Sequence, residues 1–138
     1  MSTNWFKDMQ AMHKKYGVDE WMKKEKNSDW SRLNKFMNFR IKMMQEELDE
    51  TKAAFKNKDQ EEMVDGIIDM CVFAIGTLEV FGVDANKAWD EVLKANLAKE
   101  VGVKPERPNP LGLPDLIKPA DWEGPSHKDN HGKLNNIR

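Results

Sequence analysis

All six prolines of this chain (Pro105, Pro108, Pro110, Pro114, Pro119 and Pro125) fall after Lys104. Proline fixes φ and removes a backbone donor, so residues 1–104 are free to form long helices or central strands, while residues 105–138 are repeatedly barred from both. The asymmetry predicts one domain over 1–104 and an extended proline-rich tail over 105–138. A domain of this size leaves much of its surface wet, and burial against a second subunit would add to its core.

Charge narrows the partners. Twenty-two Lys and Arg oppose 24 Asp and Glu, a net charge of −2 with neutral histidines. That balance creates no field for nucleic acid or an anionic membrane, and neither is expected as a partner. The single cysteine, Cys71, cannot form an internal disulfide and sits in an apolar run. It reads as a buried thiol in a reduced compartment, by default the cytoplasm. The opening Met1-Ser-Thr-Asn-Trp-Phe has neither a basic segment nor a long apolar one, so no signal peptide is expected. The longest uncharged run, residues 70–78, is about half of a membrane span.

Periodicity then supplies the elements. Trp5, Phe6, Met9, Met12 and Tyr16 recur at mostly three- and four-residue spacing, predicting a helix over 4–16 that Gly17 stops. Residues 18–27 are mixed and lysine-rich and read as a loop. Leu33, Met37, Ile41, Met44, Leu48 and Phe55 lie in one narrow arc, predicting a second helix over 31–57. Asp59, with Glu62 three residues on, reads as a capping box opening a third helix that runs to Phe81 before Gly82. Asp84 caps a fourth, whose inward face is Ala85, Trp89, Val92, Leu93 and Asn96. No alternating strand pattern occurs. The class is all-α, a four-helix bundle with short connections between antiparallel neighbours.

Carboxylates mark the chemistry. In Gln45-Glu46-Glu47-Leu48-Asp49-Glu50, the three glutamates span about 100° of the second helix, on a flank beside the apolar arc rather than opposite it. Like charges three and four apart repel unless cations neutralise them. The plain reading is a charged helix surface. The third helix argues against it, because residues 67–83 are apolar almost all round and yet contain Asp69, with Asp65 one turn earlier on the same side. No Lys or Arg occurs between Asp59 and Lys87 to pair with them. A buried carboxylate needs an ion pair, dense hydrogen bonding or a metal. Acids from two adjacent helices form an all-oxygen cage of the kind Mg²⁺ accepts, with Mn²⁺ able to replace it. Zinc spacing is absent: His127 and His131 lie in the tail, and His13 stands alone.

These residues resemble the all-α nucleoside triphosphate pyrophosphohydrolases, the superfamily of MazG, phosphoribosyl-ATP pyrophosphohydrolase and the dimeric dUTPases. Glu46-Glu47-x-x-Glu50 is similar to its Glu-Glu-x-x-Glu motif, and Arg40 precedes it as in relatives. Asp65-Gly-Ile-Ile-Asp69 resembles its second acidic helix, and Asn96-Leu-Ala-Lys99 its closing Asn-x-x-Lys. Met12-His13-Lys-Lys-Tyr16-Gly17 resembles the opening helix. One position departs from the pattern. The second motif is usually Glu-x-x-Asp, which places Gly66 where the glutamate belongs. Either Asp65 supplies that ligand or the frame shifts to Glu62-x-x-Asp65; the first is preferred because Glu62 already has a capping role.

The resemblance implies a MazG-like bundle that hydrolyses a (d)NTP between the α and β phosphates, to a monophosphate and pyrophosphate. It implies Mg²⁺ at Glu47, Glu50, Asp65 and Asp69, catalysis by Glu46 and Glu47, and substrate contacts from Arg40, Asn96 and Lys99. A homodimer or dimer of dimers follows. The tail and the altered second motif look unlike the histidine-biosynthetic member. A non-catalytic helical module binding nucleotides or a protein partner, its acids serving as ion pairs, is the alternative. Residues 111–122 are too apolar for a free linker and are expected to close over the helices, leaving 126–138 disordered.

Overall fold

The computed structural model describes residues 1–107 and 109–138; Pro108 lies outside the described residues. The chain divides into two compact units, residues 1–85 with 130–138, and residues 86–129.

The first unit is helical. Helix α1 (Trp5–Lys15) starts where the Asn4 side chain accepts from the Lys7 amide at 3.0 Å, and it ends before Gly17, whose φ of 77° continues no helix. The stretch expected to be a loop is instead helix α2 (Val18–Lys23) followed by a 3₁₀ turn (Glu25–Ser28). Its lysines hid two apolar anchors: Met22 is fully packed against Leu33, Val80 and Phe81, with Trp21 stacked on Phe36 at 5.1 Å between centroids. Tertiary burial makes a helix of six residues that its own propensity would not support.

Helices α3 (Trp30–Asn57) and α4 (Gln60–Val80) form an antiparallel hairpin, the main packing contact of the unit. Lys58 turns the chain in the left-handed region (φ 57°), and Asp59 N–H reaches back to the Ala54 carbonyl at 2.9 Å. This is a Schellman closure. It makes the capping box one-sided: the Asp59 carboxylate accepts from the Glu62 amide at 3.1 Å, but its own amide is already used, so the Glu62 side chain has no capping partner there.

The expectation of disorder over 126–138 is overturned. Residues 132–136 form a 3₁₀ helix, and Leu134 and Ile137 pack on the Phe81 cluster. Asn130 is buried because its amide group both accepts from the Asp84 N–H (2.8 Å) and donates to the Asp84 carbonyl (3.0 Å). Lys133 donates its backbone N–H to Phe81 O and its ammonium to Met22 O. A polar segment is ordered here by backbone hydrogen bonds that composition does not reveal.

The second unit contains helix α5 (Ala85–Leu97) and a two-stranded antiparallel sheet, β1 (Glu100–Gly102) with β2 (Asp115–Ile117), in the register Val101 opposite Leu116. Three-residue strands are too short to show alternation, which is why the sequence pattern missed them. Asp115 holds the hairpin closed through Arg107 at 2.7 Å and Lys104 at 3.7 Å. The inward face expected of α5 is not the one observed. Ala95 is its buried residue, its carbonyl accepting from the Trp122 indole at 2.7 Å, whereas Trp89 and Leu93 are exposed and so is Asn96. Among the described residues no single helix is long and apolar enough to cross a membrane.

Candidate active site

The acids of α3 and α4 meet midway along the hairpin. Two features bring the helices close there. Gly66 is buried, and a Cβ in its place would lie 2.4 Å from the Thr51 hydroxyl and 3.5 Å from the Glu47 carbonyl. Thr51 in turn donates its hydroxyl to that same Glu47 carbonyl at 2.7 Å. The absent glutamate of the second motif thus has a physical reason: α3 occupies the space its side chain would need.

Across this contact, Glu47 is half-buried and its carboxyl is pushed above its usual range. Burial is the largest cause, followed by the negative charges of Glu50, Asp69 and Asp65 and a hydrogen bond with Glu50. Glu47, Glu50, Asp65 and Asp69 therefore share one electrostatic neighbourhood drawn from two helices. Asp69 is half-buried, while Glu50 and Asp65 reach the surface. Glu46 is exposed on α3, about 100° round from Glu47. Glu62 lies in the first turn of α4, exposed.

Three carboxylates whose charges raise the proton affinity of a fourth, Glu47, fit a hard divalent cation, whose charge would offset their repulsion and whose preference is for oxygen. Their spacing is wider than a closed coordination shell. Among the described residues, the set of His, Cys, Asp or Glu ligand atoms lying within 4.8 Å of one another is a different one, His13, Asp19 and Glu79.

Arg40 is placed otherwise than the resemblance implies. It is 7% exposed, donating Nε to the Thr77 hydroxyl at 3.0 Å and Nη2 to the Phe73 carbonyl at 3.4 Å, with the Phe36 and Phe73 rings 5.8 and 5.4 Å from its guanidinium carbon. Burial lowers its proton affinity and Glu79 opposes that effect. These bonds tie α3 to α4, and a substrate phosphate is not what they serve. Gly76 makes room for it: a Cβ there would lie 2.7 Å from Arg40 Nη2 and 2.8 Å from Met9 Cε. His13 and Glu79, directly hydrogen-bonded beside this brace, were not legible as a pair, since 66 residues separate them.

In the second unit, Asn96 is exposed at the end of α5 and Lys99 is half-buried, its ammonium 5.4 Å from the Trp122 ring centroid. Lys118 approaches the same ring at 4.7 Å. The tail tryptophan is thus a platform for two cations, a role the sequence reading did not assign.

Among families of known proteins, the model of the phosphoribosyl-ATP pyrophosphohydrolases matches residues 17–96. It is a family within the MazG-like all-α superfamily that the motifs resemble, and it bears the name of the very member that the tail and the altered motif look unlike. No curated protein and no solved structure matches the chain.

Proposed function

Because this chain belongs to the phosphoribosyl-ATP pyrophosphohydrolase family, whose members are hydrolases of nucleotide pyrophosphate bonds, we propose that it cleaves a nucleoside triphosphate between the α and β phosphates with Mg²⁺, or Mn²⁺ in its place. The observation that carries this reading is the convergence of Glu47, Glu50, Asp65 and Asp69 across the α3–α4 contact.

These four residues would hold the cation, which when bound would neutralise charge on the phosphate oxygens. Glu46, free of that cluster by its place on the helix, accepts the proton of the water that attacks the α phosphorus as the bond to the bridging oxygen breaks and pyrophosphate leaves. By the family resemblance, Asn96 contacts the base or ribose and Lys99 a phosphate. A second copy of the chain covers the apolar surface of α3 and α4, where Phe39, Ile41, Phe55, Val64, Ile67 and Ile68 are exposed. The lone thiol Cys71 accords with a reduced, cytoplasmic compartment.

The test is a panel: each NTP and dNTP, and phosphoribosyl-ATP, with Mg²⁺ and separately with Mn²⁺, scored for pyrophosphate. Release from any of the triphosphates supports the proposal. Release from phosphoribosyl-ATP alone would keep the reaction and replace the substrate. Silence throughout would leave the non-catalytic nucleotide- or protein-binding module.

A further inference from the structure

At the far end of α4 from the acids, about 15 Å from Asp69 by helical rise, three helices contribute one potential ligand each. His13 comes from α1, Asp19 from α2 and Glu79 from α4, with ligand atoms all within 4.8 Å of one another. His13 is 4% exposed, and the Glu79 side chain is 9% exposed. We infer that His13, Asp19 and Glu79 form a second metal site in this protein, specific for Zn²⁺ rather than Mg²⁺.

The charges present favour a cation. Glu79 is hydrogen-bonded to His13 Nδ1, but among the described residues the Asp19 carboxylate has neither a hydrogen-bond nor an ion-pair partner, although it is held half-buried beside a second carboxylate. Two such groups taken out of water need compensation. Arg40 acts on Glu79 and offsets one of the two charges. The Asp19 carboxylate has no such cation among the described residues.

The donor types select the ion. An imidazole nitrogen and two carboxylate oxygens are a three-ligand zinc set with a fourth position for water, and tetrahedral Zn–N and Zn–O bonds of about 2.0–2.2 Å require donors separated by distances of the order found here. Imidazole is a poor ligand for Mg²⁺, which keeps to oxygen. The position also gives the ion a use. It would tie the start of α2 to the end of α1 and the last turn of α4, which already pack on each other and share the His13–Glu79 hydrogen bond, around the Gly17 bend. The site is separate from the catalytic acids and does not rest on the proposed reaction.

The experiment uses the full chain, stripped with a chelator and then given Zn²⁺ in the presence of millimolar Mg²⁺. The wild type is expected to retain one zinc per chain through gel filtration, measured by elemental analysis. Its Tm should rise by about 10 °C at a hundred-fold excess over Kd. His13→Gln should lose both effects, and because His13 is buried this variant can also fail to fold. Asp19→Asn keeps the His13–Glu79 bond and so the fold. It should weaken zinc retention at least ten-fold while matching the stripped wild type in Tm. Glu47→Gln and the His127→Ala/His131→Ala double variant should retain zinc as the wild type does. Zinc retained undiminished in Asp19→Asn, zinc lost in Glu47→Gln or in the tail variant, or no zinc retained by the wild type would each overturn the inference.

Discussion

Gly66 of α4 rests against Thr51 of α3 so closely that a single added carbon would come within 2.4 Å of the threonine hydroxyl. That contact sets the separation of the two helices at the level where Glu47 and Glu50 face Asp65 and Asp69. It also leaves no room for a side chain at 66, the position where the second motif usually carries its glutamate.

Gly66→Ala should therefore destabilise the fold despite alanine's helix propensity, which favours it by about 1 kcal/mol. Overpacking costs about 1–3 kcal/mol, and a net loss of about 1 kcal/mol is expected in urea unfolding. The double variant Gly66→Ala/Thr51→Ala should recover most of it. Recovery identifies the clash, and equal loss in both would place the cause elsewhere.

Glu47→Gln and Asp69→Asn should each lower kcat by at least two orders of magnitude, as expected for groups acting as a unit in catalysis, with the helical circular dichroism unchanged. Turnover persisting in either variant would mean that the ligands lie elsewhere.

The pH dependence of stability carries a sign. The Glu47 carboxyl is raised above its usual 4.5 in the folded chain, first by burial and then by Glu50, Asp69 and Asp65. The folded state holds this proton longer than the unfolded state, so metal-free stability falls as pH rises from about that value through the raised one, and is regained on acidification. Asp115 works in the opposite direction: its backbone hydrogen bond to Leu116, with Arg107 and Lys104, lowers its range, and its contribution is lost as pH falls. Comparing wild type with Glu47→Gln by thermal melts between pH 4 and pH 8 isolates the first effect, the difference growing toward pH 8.

Arg40→Ala should cost about 2–4 kcal/mol of stability, because it removes two hydrogen bonds and leaves the Thr77 hydroxyl and Glu79 without a buried cation. Arg40→Lys should recover only part, since lysine lacks the planar fork. KM measured at a temperature where the variants are folded should stay within about three-fold of wild type. A ten-fold rise in KM at unchanged stability would restore the substrate role implied by the resemblance.

Lys58→Gly should stabilise the hairpin. Lys58 adopts φ 57° at the closure between α3 and α4, where a side chain costs about 1–2 kcal/mol. A gain of about 0.5–1 kcal/mol in urea unfolding is expected after the unfolded-state entropy of glycine is subtracted. A loss would show that the lysine side chain has a contact worth more than the strain.

What was legible in the sequence was what depends on neighbours within one helix. The arc from Leu33 to Phe55 placed α3 to within a residue of its start, Asp59 capped the helix it was expected to cap, and Gly17 and Gly82 ended two of them. Asp65 and Asp69 stood out because one helix face carried them into an apolar run without a local cation. Residues 18–27, read as a loop, and 126–138, read as disordered, were misread for one reason. Their order comes from Met22 and Ile137 meeting Phe81, and from Asn130 meeting the Asp84 backbone, contacts across tens of residues that a local pattern does not encode. His13 and Glu79 belong to the same class, ordinary residues on separate helices until packing sets them side by side. The sequence by itself determined the four longer helices, most of their ends and the carboxylates that two of them carry. Only the tertiary structure decided how near those carboxylates come, that Arg40 braces the core, and that the last nine residues close it, because each depends on the distance at which separate helices stop against one another.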